Sequence, residues 1–394
     1  MAFSFGQKVI YFKAGDDVLH TALKLLQIIE DHGYKAYIVG GFVRNYLLGI
    51  ESNDIDITTS ATPKQIKEIF KDACLPHEEY GSIRVIMKKV SFEITTFRRE
   101  RDYFDKRRPS TVEFTTDLLE DLSRRDFTMN TLCMDKSGTI LDLLGGKEDI
   151  LNRRIQTVGN SLVRFEEDSL RILRAVRFAT TLDFDLSESV IKAIKESKHL
   201  LKFLSYERKK DELDKIFASK NVNKGIKLLL DLGLDQDLEL VHLKDMPQNL
   251  ELIAIWAYLD VIGKYPFTVI EKSQMQKIKE VLKEDIKSPK TLYHYGLYIC
   301  RLASPFQNIS PKEITSIYEN LPIHKQSDLD ITSEEIMAFL NRSPGSYLRE
   351  IYRDLEENVI KGTLENNKTK IYEYLQKYLQ GGEEDESGKY NGVL

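Results

Sequence analysis

The sequence predicts an α+β fold, in which a mixed-sheet domain covers roughly the first 150 residues and an all-helical remainder follows. Up to about residue 150, short stretches that alternate between apolar and polar residues are interleaved with stretches of helical apolar spacing. After Ile150 the helical spacing continues, and no segment shows sustained alternation with a period of two. A chain of 394 residues suggests two to three domains and can bury a substantial core.

The elements of the first domain come in mixed order. Residues 18–32 have helical apolar spacing that ends at Gly33. Tyr37-Ile38-Val39 predicts a short buried strand, and Thr62-Pro63 predicts an N-cap followed by proline at the first helical position. The other predicted elements of this domain are strands over 54–57, 82–88, 91–97 and 111–114, and helices over 62–71 and 117–131.

The rest of the chain is predicted to consist of helices joined by short connections. The segments with the most regular spacing are 164–180, 187–200, 206–219 and 222–232. The later segments are 249–259, 273–283, 289–303, 333–340 and 346–379. Residues 381–394 are Gly-rich and acidic, which predicts a disordered tail.

Composition and charge are those of an ordinary globular protein. Hydrophobic residues make up 42% and charged residues 30% of the chain, and its net charge of −5 argues against a uniformly basic nucleic-acid binder. No apolar run is long enough to span a membrane, and the N-terminus lacks a signal-peptide core. Cys74, Cys133 and Cys300 follow no metal-binding spacing. We therefore expect a cytoplasmic protein with no membrane partner.

A glycine pair and an aspartate pair form the first candidate site. Gly40 and Gly41 open a predicted helix, where backbone amides can approach a triphosphate without a Cβ in the way. Asp54 and Asp56 lie two residues apart on a predicted strand, so their side chains leave the same face, about 6–7 Å apart. Such carboxylates can share two Mg²⁺ ions held about 3.5–4 Å apart. Each pair alone is equally typical of a turn or a solvated edge strand; their order and spacing together favour nucleotidyl transfer.

Two further segments carry residues suited to such a site. Glu93 lies on the predicted strand 91–97, where alternation can point it toward the face of the aspartates as a general base or a further metal ligand. Arg124 and Arg125 lie beside a predicted helix, and arginine makes bidentate contacts with phosphate. The alternative interpretations are a half-exposed strand glutamate for Glu93 and, for the two arginines, a surface salt-bridge cluster with Asp121 and Asp126.

The strongest single motif lies within the predicted helix 164–180. Asp168, Arg171, Arg174 and Arg177 recur every three residues and are predicted to line one side of that helix. A solvated basic face with a local Asp–Arg ion pair is the alternative. Three arginines that follow a carboxylate, in a chain that already offers a metal-binding pair, favour a nucleotide site.

Base chemistry explains what an Asp168/Arg171 pair could select. Cytosine and adenine both present an exocyclic amino donor beside a ring-nitrogen acceptor, which a carboxylate and an arginine match. Uracil and guanine reverse this pattern and leave buried groups unpaired, the costly direction of hydrogen-bond discrimination. The pair could therefore accept CTP or ATP and reject UTP or GTP.

These residues together resemble the bacterial class II CCA-adding enzymes, the tRNA nucleotidyltransferase and poly(A) polymerase family. The matching segments run in the family's order from about residue 36 to 217, and the C-terminal third matches only in being helical. They are Gly40-Gly41-Phe42-Val43-Arg44, Asp54-Ile55-Asp56, Glu93-Ile94-Thr95-Thr96-Phe97-Arg98, Arg124-Arg125-Asp126-Phe127-Thr128-Met129-Asn130, Glu167-Asp168-Ser169-Leu170-Arg171, and Ser205-Tyr206-Glu207-Arg208 followed by Glu212.

The resemblance implies a role for each candidate residue. It implies that Asp54 and Asp56 hold catalytic Mg²⁺, that Glu93 is a third catalytic carboxylate, and that Gly41 and Arg44 contact the triphosphate. It also implies that the nucleotide site contains Arg125, Asp168, Arg171, Arg174 and Arg177, with CTP and ATP as substrates and tRNA as the partner. The implied domains are a nucleotidyltransferase head at 1–150, a neck at 151–205, a body at 206–300, and a tRNA-binding tail at 301–380.

Two features bear on activity and product. Asn45 stands where this family usually has aspartate, next to the triphosphate arginine, which could alter how Arg44 is held. Residues 101–109 fill the segment that resembles a flexible loop missing from enzymes that stop after two cytidines, which favours completion to CCA. A CC-adding or A-adding partial enzyme, a poly(A) polymerase, and a non-catalytic RNA-binding module remain alternatives, and the sequence leaves the oligomeric state open.

Overall fold

Residues 3–5, 8–10, 16–71, 74–79, 81–103 and 109–380 are described by a computed structural model of the chain. The chain divides into two compact units, one ending at Leu243 and the other beginning at Lys244. The predicted disordered tail at 381–394 and residues 104–108 of the predicted loop segment 101–109 lie outside the described residues. Within the described part, no helix is both long and apolar enough to cross a membrane.

The strands all lie in the first unit. In the part of the chain that the structure describes, they are β1 (Phe3–Phe5), β2 (Lys8–Ile10), β3 (Ala36–Val39), β4 (Asp56–Thr59), β5 (Cys74–Glu79), β6 (Ser82–Met87), β7 (Val90–Thr96), β8 (Arg98–Tyr103), β9 (Pro109–Phe114), β10 (Cys133–Met134), β11 (Ile140–Leu141), β12 (Arg154–Ile155) and β13 (Asp185–Leu186).

The helices of the first unit surround and follow this sheet region. They are α1 (Asp16–Asp31), α2 (Gly41–Leu48), α3 (Pro63–Ile69), α4 (Leu118–Ser123), α5 (Gly146–Leu151), α6 (Ser161–Glu167), α7 (Leu170–Thr181), α8 (Glu188–Ser197), α9 (Tyr206–Phe217), α10 (Val222–Asp231) and α11 (Leu234–Asp237). The predicted N-cap of α3 is confirmed: Thr62 and Gln65 form a reciprocal capping box with Pro63 in the first turn.

Seven strands form one mixed sheet, in the order β11-β10-β3-β4-β7-β6-β5. β4 and β7 run parallel, whereas the other neighbouring strands in this sheet are antiparallel. The β4–β7 register places Asp56 beside Glu93. The mixed sheet that the sequence predicts for the first domain is therefore confirmed. The helical character of the chain after Ile150 is confirmed as well, apart from the short parallel pair β12–β13, although two of the predicted helices are interrupted.

The predicted helix over 117–131 is wrong beyond its first turns. Helix α4 ends at Ser123, and only a short 3₁₀ turn follows over Thr128–Asn130. Phe127 between them has extended backbone angles and forms an isolated antiparallel bridge with Thr157. The buried ring of Phe127 packs edge-on against Phe178, so tertiary packing outweighs the local helical tendency of this segment.

The predicted helix over 164–180 is broken at Asp168. Its backbone is extended, with φ −142° and ψ 104°, between α6 and α7. The Asp168 side chain accepts a hydrogen bond from the backbone N–H of Leu170, which is how aspartate competes with helix continuation. Asp168 therefore precedes the arginine helix instead of lying on it.

The second unit is helical throughout its described part. Its α-helices are α12 (Leu252–Leu259), α13 (Val269–Val281), α14 (Pro289–Ala303), α15 (Pro311–Glu319), α16 (Ser333–Leu340), α17 (Tyr347–Lys361) and α18 (Lys368–Gln380). The single helix predicted over 346–379 is wrong, because Gly362 takes a left-handed conformation (φ 73°) and ends α17. Ile351 and Leu355 of α17 pack in one core with Ile371 and Leu375 of α18.

Candidate active site

Three carboxylates gather on one exposed face of the sheet. The structure corrects the predicted strand at 54–57, since β4 begins at Asp56 and Asp54 lies just before it. Ile55 between the aspartates is buried, whereas Asp54, Asp56 and Glu93 are exposed. The register therefore agrees with the prediction from alternation for Asp56 and Glu93, whereas Asp54 precedes the strand and is not part of the pairing.

The environment of Asp56 is strongly negative. Although its side chain reaches solvent, desolvation of the Asp56 carboxyl group and the nearby charges of Asp54 and Glu93 raise its pKa to about 6, and Arg125 opposes them. None of the three carboxylates forms an ion pair with a described lysine or arginine. Mutual repulsion of this kind is relieved by a divalent cation, so the oxygen donors present fit Mg²⁺. Among the described residues, no three or more His, Cys, Asp or Glu side chains are arranged to hold a metal ion together. The candidate protein ligands for Mg²⁺ are therefore the two carboxylates of Asp54 and Asp56.

The glycine pair forms the turn from β3 into α2. Gly40 has φ 81° and ψ −131°, which a residue with a Cβ adopts only under strain. Gly41 begins α2, as the sequence predicts. A Cβ on Gly40 would lie 3.6 Å from Nη1 of Arg125, so the guanidinium of this arginine lies next to the turn.

Arg44 of α2 is buried and is held by neutral side chains. Its Nη1 donates to Oδ1 of Asn130 at 2.6 Å, and its Nε and Nη2 donate to Oδ1 of Asn45 at 3.1 and 2.9 Å. Its guanidinium carbon lies 5.0 Å from the centre of the Phe178 ring. Burial and the charge of Arg177 lower the pKa of Arg44 to about 10. The cation therefore has amide and aromatic partners here, which leave its charge for an anion.

Arg125 is oriented by a fully buried carboxylate. Asp121 accepts hydrogen bonds from Nη2 of Arg125 at 3.3 Å, from Nε and Nη2 of Arg124 at 3.0 and 2.8 Å, and from Thr58 on β4 at 3.2 Å. Burial acts to raise the pKa of Asp121, but Arg124 and Arg125 outweigh it and lower the pKa. The alternative interpretation, a surface salt-bridge cluster with Asp121 and Asp126, therefore holds only in part, because Asp121 is buried and Asp126 pairs with Arg174 instead. The Asp121 cluster connects Arg125 to the strand that carries Asp56.

Asp168 and Arg171 form side-chain interactions with different partners. Arg171 is buried; its Nη1 donates to Oε2 of Glu167 at 2.7 Å, and its Nη2 donates to the carbonyl of Arg124 at 3.0 Å. Asp168 instead accepts from Nη2 of Arg208 on α9, at 3.3 and 3.2 Å to its two oxygens. The local Asp168–Arg171 pair offered as the alternative interpretation is therefore absent, although the Arg171 N–H still donates to the Asp168 carbonyl.

The other two arginines of α7 are also paired with carboxylates. Nε of Arg174 donates to Asp126 at 2.7 Å, and Nε of Arg177 lies 2.9 Å from Glu212 of α9. Burial acts to raise the pKa of Asp126, but Arg174 and the hydrogen bonds from Asn130 and Arg174 lower it to about 2. The guanidinium carbons of Arg174 and Arg177 lie 5.4 and 4.2 Å from the Phe178 ring centre. Arg44, Arg174 and Arg177 thus converge on one aromatic ring.

Several residues of this network were not among the sequence-predicted site residues. Asn130 links two of the arginines, since its Nδ2 donates to Asp126 and its Oδ1 accepts from Arg44. Asp126, Asn130 and Arg208 lie within the motifs that resemble the family. The motifs therefore indicated that these residues matter, but not which residues they contact. Phe178 directly follows Arg177 and carried no signal beyond an apolar helix position.

Comparison with protein families accounts for most of the chain. Residues 36–156 match the family described as "Poly A polymerase head domain". Residues 183–238 match "Probable RNA and SrmB-binding site of polymerase A", and residues 269–375 match tRNA nucleotidyltransferase domain 2. The expectation that the C-terminal third resembles the family only in being helical is therefore wrong.

Curated relatives and solved structures agree with these matches. CCA-adding enzymes of Bacillus cytotoxicus and Lactococcus lactis are 34% and 35% identical to the chain over 89% and 91% of its length, and 96% of each relative is covered. The crystal structure of the Bacillus stearothermophilus CCA-adding enzyme in complex with CTP is 28% identical with a TM-score of 0.76, covering 95% of this chain and 100% of that one. The Thermotoga maritima CCA-adding enzyme complexed with tRNA has the same fold, at 19% identity and a TM-score of 0.64 over 93% of this chain and 96% of that one.

At this level of identity over nearly the whole of both chains, the chain belongs to the family of CCA-adding enzymes, the tRNA nucleotidyltransferases.

Proposed function

We propose that this protein adds CCA to the 3′ end of tRNA from CTP and ATP, without a nucleic-acid template, and releases pyrophosphate. One observation carries the proposal: Arg125 covers the Gly40 turn and also interacts electrostatically with Asp56. A triphosphate between the glycine turn and the acidic strand would meet cations on one side and the carboxylates on the other. Membership of the family supplies the tRNA substrate.

In the proposed reaction, the 3′-oxygen of tRNA forms a bond to the α-phosphorus while the bond from that phosphorus to the pyrophosphate oxygen breaks. Asp54 and Asp56 would hold Mg²⁺, which supplies charge stabilisation at the reacting oxygens and promotes loss of the hydroxyl proton. Glu93 would accept that proton, and its position as the register neighbour of Asp56 supports this assignment. Gly41, Arg44 and Arg125 would bind the triphosphate, whose negative charge suits the α2 N-terminus.

Base selection is assigned to the start of the arginine helix. Asp168 would accept a hydrogen bond from the exocyclic amino group of cytosine or adenine, and Arg171 would donate to the ring nitrogen. Arg174 and Arg177 would complete this side of the site, and their contacts with Asp126, Glu212 and Phe178, which hold them in place, support this assignment. The head at 1–150, neck at 151–205, body at 206–300 and tRNA-binding tail at 301–380 remain our domain assignment.

A primer-extension assay tests the proposal. Transcripts of tRNA that lack CCA, or that end in C or CC, are supplied with CTP and ATP separately and together. We expect CTP alone to give CC, both nucleotides to give CCA, and ATP alone to extend only the CC transcript. The double variant Asp54→Ala/Asp56→Ala is the control and should add nothing.

The alternatives give different products in the same assay. Extension past CCA with ATP alone would identify a poly(A) polymerase. Products that stop at CC in the presence of ATP, or that form only from CC, would identify a CC-adding or A-adding enzyme. Binding of tRNA with no incorporation on any primer would identify a non-catalytic RNA-binding module.

A further inference from the structure

The carboxylate of Asp168 is fixed by a residue from a different helix. Asp168 lies in the break between α6 and α7, where its extended backbone gives the side chain no support from a helical turn. Nη2 of Arg208, forty positions later on α9, donates to both carboxylate oxygens, at 3.3 and 3.2 Å. The Leu170 N–H adds one hydrogen bond to Oδ1 at 3.1 Å. Arg208 is therefore the charged partner that sets the direction of this carboxylate.

The two sides of the base-reading pair are held independently. Arg171 is fixed by Glu167 and by the carbonyls of Arg164 and Arg124, none of which contacts Arg208. Both members of the Arg208–Asp168 pair keep 20% of their side-chain surface exposed, so the pair borders an open space. Nη1 of Arg208 is buried and has no hydrogen-bond partner in the described structure, which makes the pair incomplete as a purely structural contact.

We propose that Arg208 is a positioning residue for base selection, holding Asp168 so that its carboxylate faces the amino group of an incoming cytosine or adenine. This rests on the proposed function. With Arg208 in place, the keto group of uracil or guanine meets a fixed acceptor and is repelled. Without it, Asp168 can rotate away, and the penalty against the wrong base falls. Arg171 keeps its own partners, so discrimination at the ring nitrogen remains.

Substitution of Arg208 tests this through the ratio of two nucleotides. kcat/KM for CTP and for UTP is measured on a transcript that lacks CCA, for wild type, Arg208→Gln and Arg208→Lys. We expect Arg208→Gln to lower the CTP-to-UTP ratio by about tenfold or more, the effect of losing one well-aligned charged hydrogen bond. Arg208→Lys retains the charge without the planar fork and should give a smaller loss. Lys210→Gln removes the Lys210–Asp214 pair (2.8 Å) from the same helix and should leave the ratio unchanged.

A double-mutant cycle separates positioning from a general structural role. In an Asp168→Asn background, Arg208→Gln should change the ratio no further, because the group that it positions is already altered. The proposal is overturned if Arg208→Gln lowers kcat/KM for CTP and UTP by the same factor, or if its effect is the same in both backgrounds.

Equilibrium binding keeps this test apart from that of the proposed function. The affinities of wild type and Arg208→Gln for CTP and UTP are measured by calorimetry without tRNA. If wild type adds no nucleotide to tRNA, the proposed function fails, yet a CTP preference that Arg208→Gln removes still supports the positioning role. Equal affinities of wild type for CTP and UTP would overturn it.

Discussion

The acidic face of the sheet and the arginine helix α7 differ in whether their charged side chains form ion pairs. Asp54, Asp56 and Glu93 have no ion-paired partner among the described lysines and arginines, and desolvation together with the charges of Asp54 and Glu93 raises the pKa of Asp56. On α7 each arginine has a carboxylate: Glu167, Asp126 and Glu212 for Arg171, Arg174 and Arg177. The carboxylates of the sheet thus retain a negative charge that suits a cation, whereas the charges of the α7 arginines are compensated by carboxylates within the protein.

This difference predicts opposite costs for removing a carboxylate. In the sheet, the loss of one carboxylate relieves repulsion and should not weaken the fold, yet it removes a proposed metal ligand. Beside α7, the loss of one carboxylate leaves a cation without its partner and should weaken the fold. Activity and stability together therefore distinguish the two regions.

The largest expected effect is that of Asp56→Asn on catalysis. Nucleotide incorporation should fall by at least about a thousandfold, because a metal ion contributes several kcal/mol to stabilising the charge of the transition state. The midpoint of thermal unfolding, measured by calorimetry, should stay the same or rise. A variant that keeps more than about a tenth of the activity, or one that unfolds several degrees earlier, contradicts this assignment of charge.

The next effect is the loss of stability in Asp126→Asn. The free energy of unfolding of the variant should be about 3 kcal/mol lower than that of wild type, because Arg174 and the Asn130 amide lose the buried carboxylate that they bind. Urea denaturation measures the difference. Asp183→Asn, which removes the pairs of an exposed carboxylate with Arg153 (3.1 Å) and Lys224 (3.0 Å), is the matched control and should cost less than about 1 kcal/mol. Equal losses in the two variants would contradict the distinction.

Local patterns were sufficient to predict the parts of the site that lie on regular elements. Gly40 and Gly41 precede a helix, and Asp56 and Glu93 share a face, because alternation and glycine punctuation depend on neighbouring residues alone. The break at Asp168 was missed, because the spacing of three residues continues through it unchanged. It depends on the side chain of Asp168, which bonds to the Leu170 N–H and to Arg208.

The ion pairs of Arg174 and Arg208 could not be predicted from local sequence patterns, because their carboxylate partners are 40 or more positions away in the sequence. The hydrogen bonds from Arg174 to Asp126 and from Arg208 to Asp168 form only when the tertiary structure brings these distant segments together. The same packing explains why 117–131 is not one helix, since Phe127 bonds across to Thr157 and packs against Phe178. The candidate residues were thus identifiable from the sequence, whereas the interactions that orient them were not.

The Asp126 carboxylate should also give a defined dependence of stability on pH. Its pKa falls from 3.8 in the unfolded chain to about 2 in the folded protein, so its contribution is fully present above about pH 4 and is lost as the pH falls toward 2. The shift corresponds to about 2 kcal/mol. Free energies of unfolding at pH 5, 4 and 3 should therefore show the gap between wild type and Asp126→Asn narrowing. A gap that stays constant over this range contradicts the lowered pKa.

The smallest expected effect concerns Asn45, which accepts hydrogen bonds from Arg44. Asn45→Asp keeps an acceptor for Nε and Nη2 of Arg44 but adds a negative charge against a cation that now has neutral partners. Part of the Arg44 charge is then neutralised within the protein, so KM for CTP and for ATP should rise together by about threefold to tenfold while kcat changes little, since the expected loss is about 1 kcal/mol.

Asn45→Ser serves as the comparison, because it shortens the side chain without adding charge. It should leave Arg44 less well held and affect kcat as well as KM, since the orientation of the guanidinium is lost. If Asn45→Asp instead lowers KM, the charge of Arg44 is not what binds the triphosphate. The contrast between unpaired and paired charge would then apply to the carboxylates of the site but not to its cations.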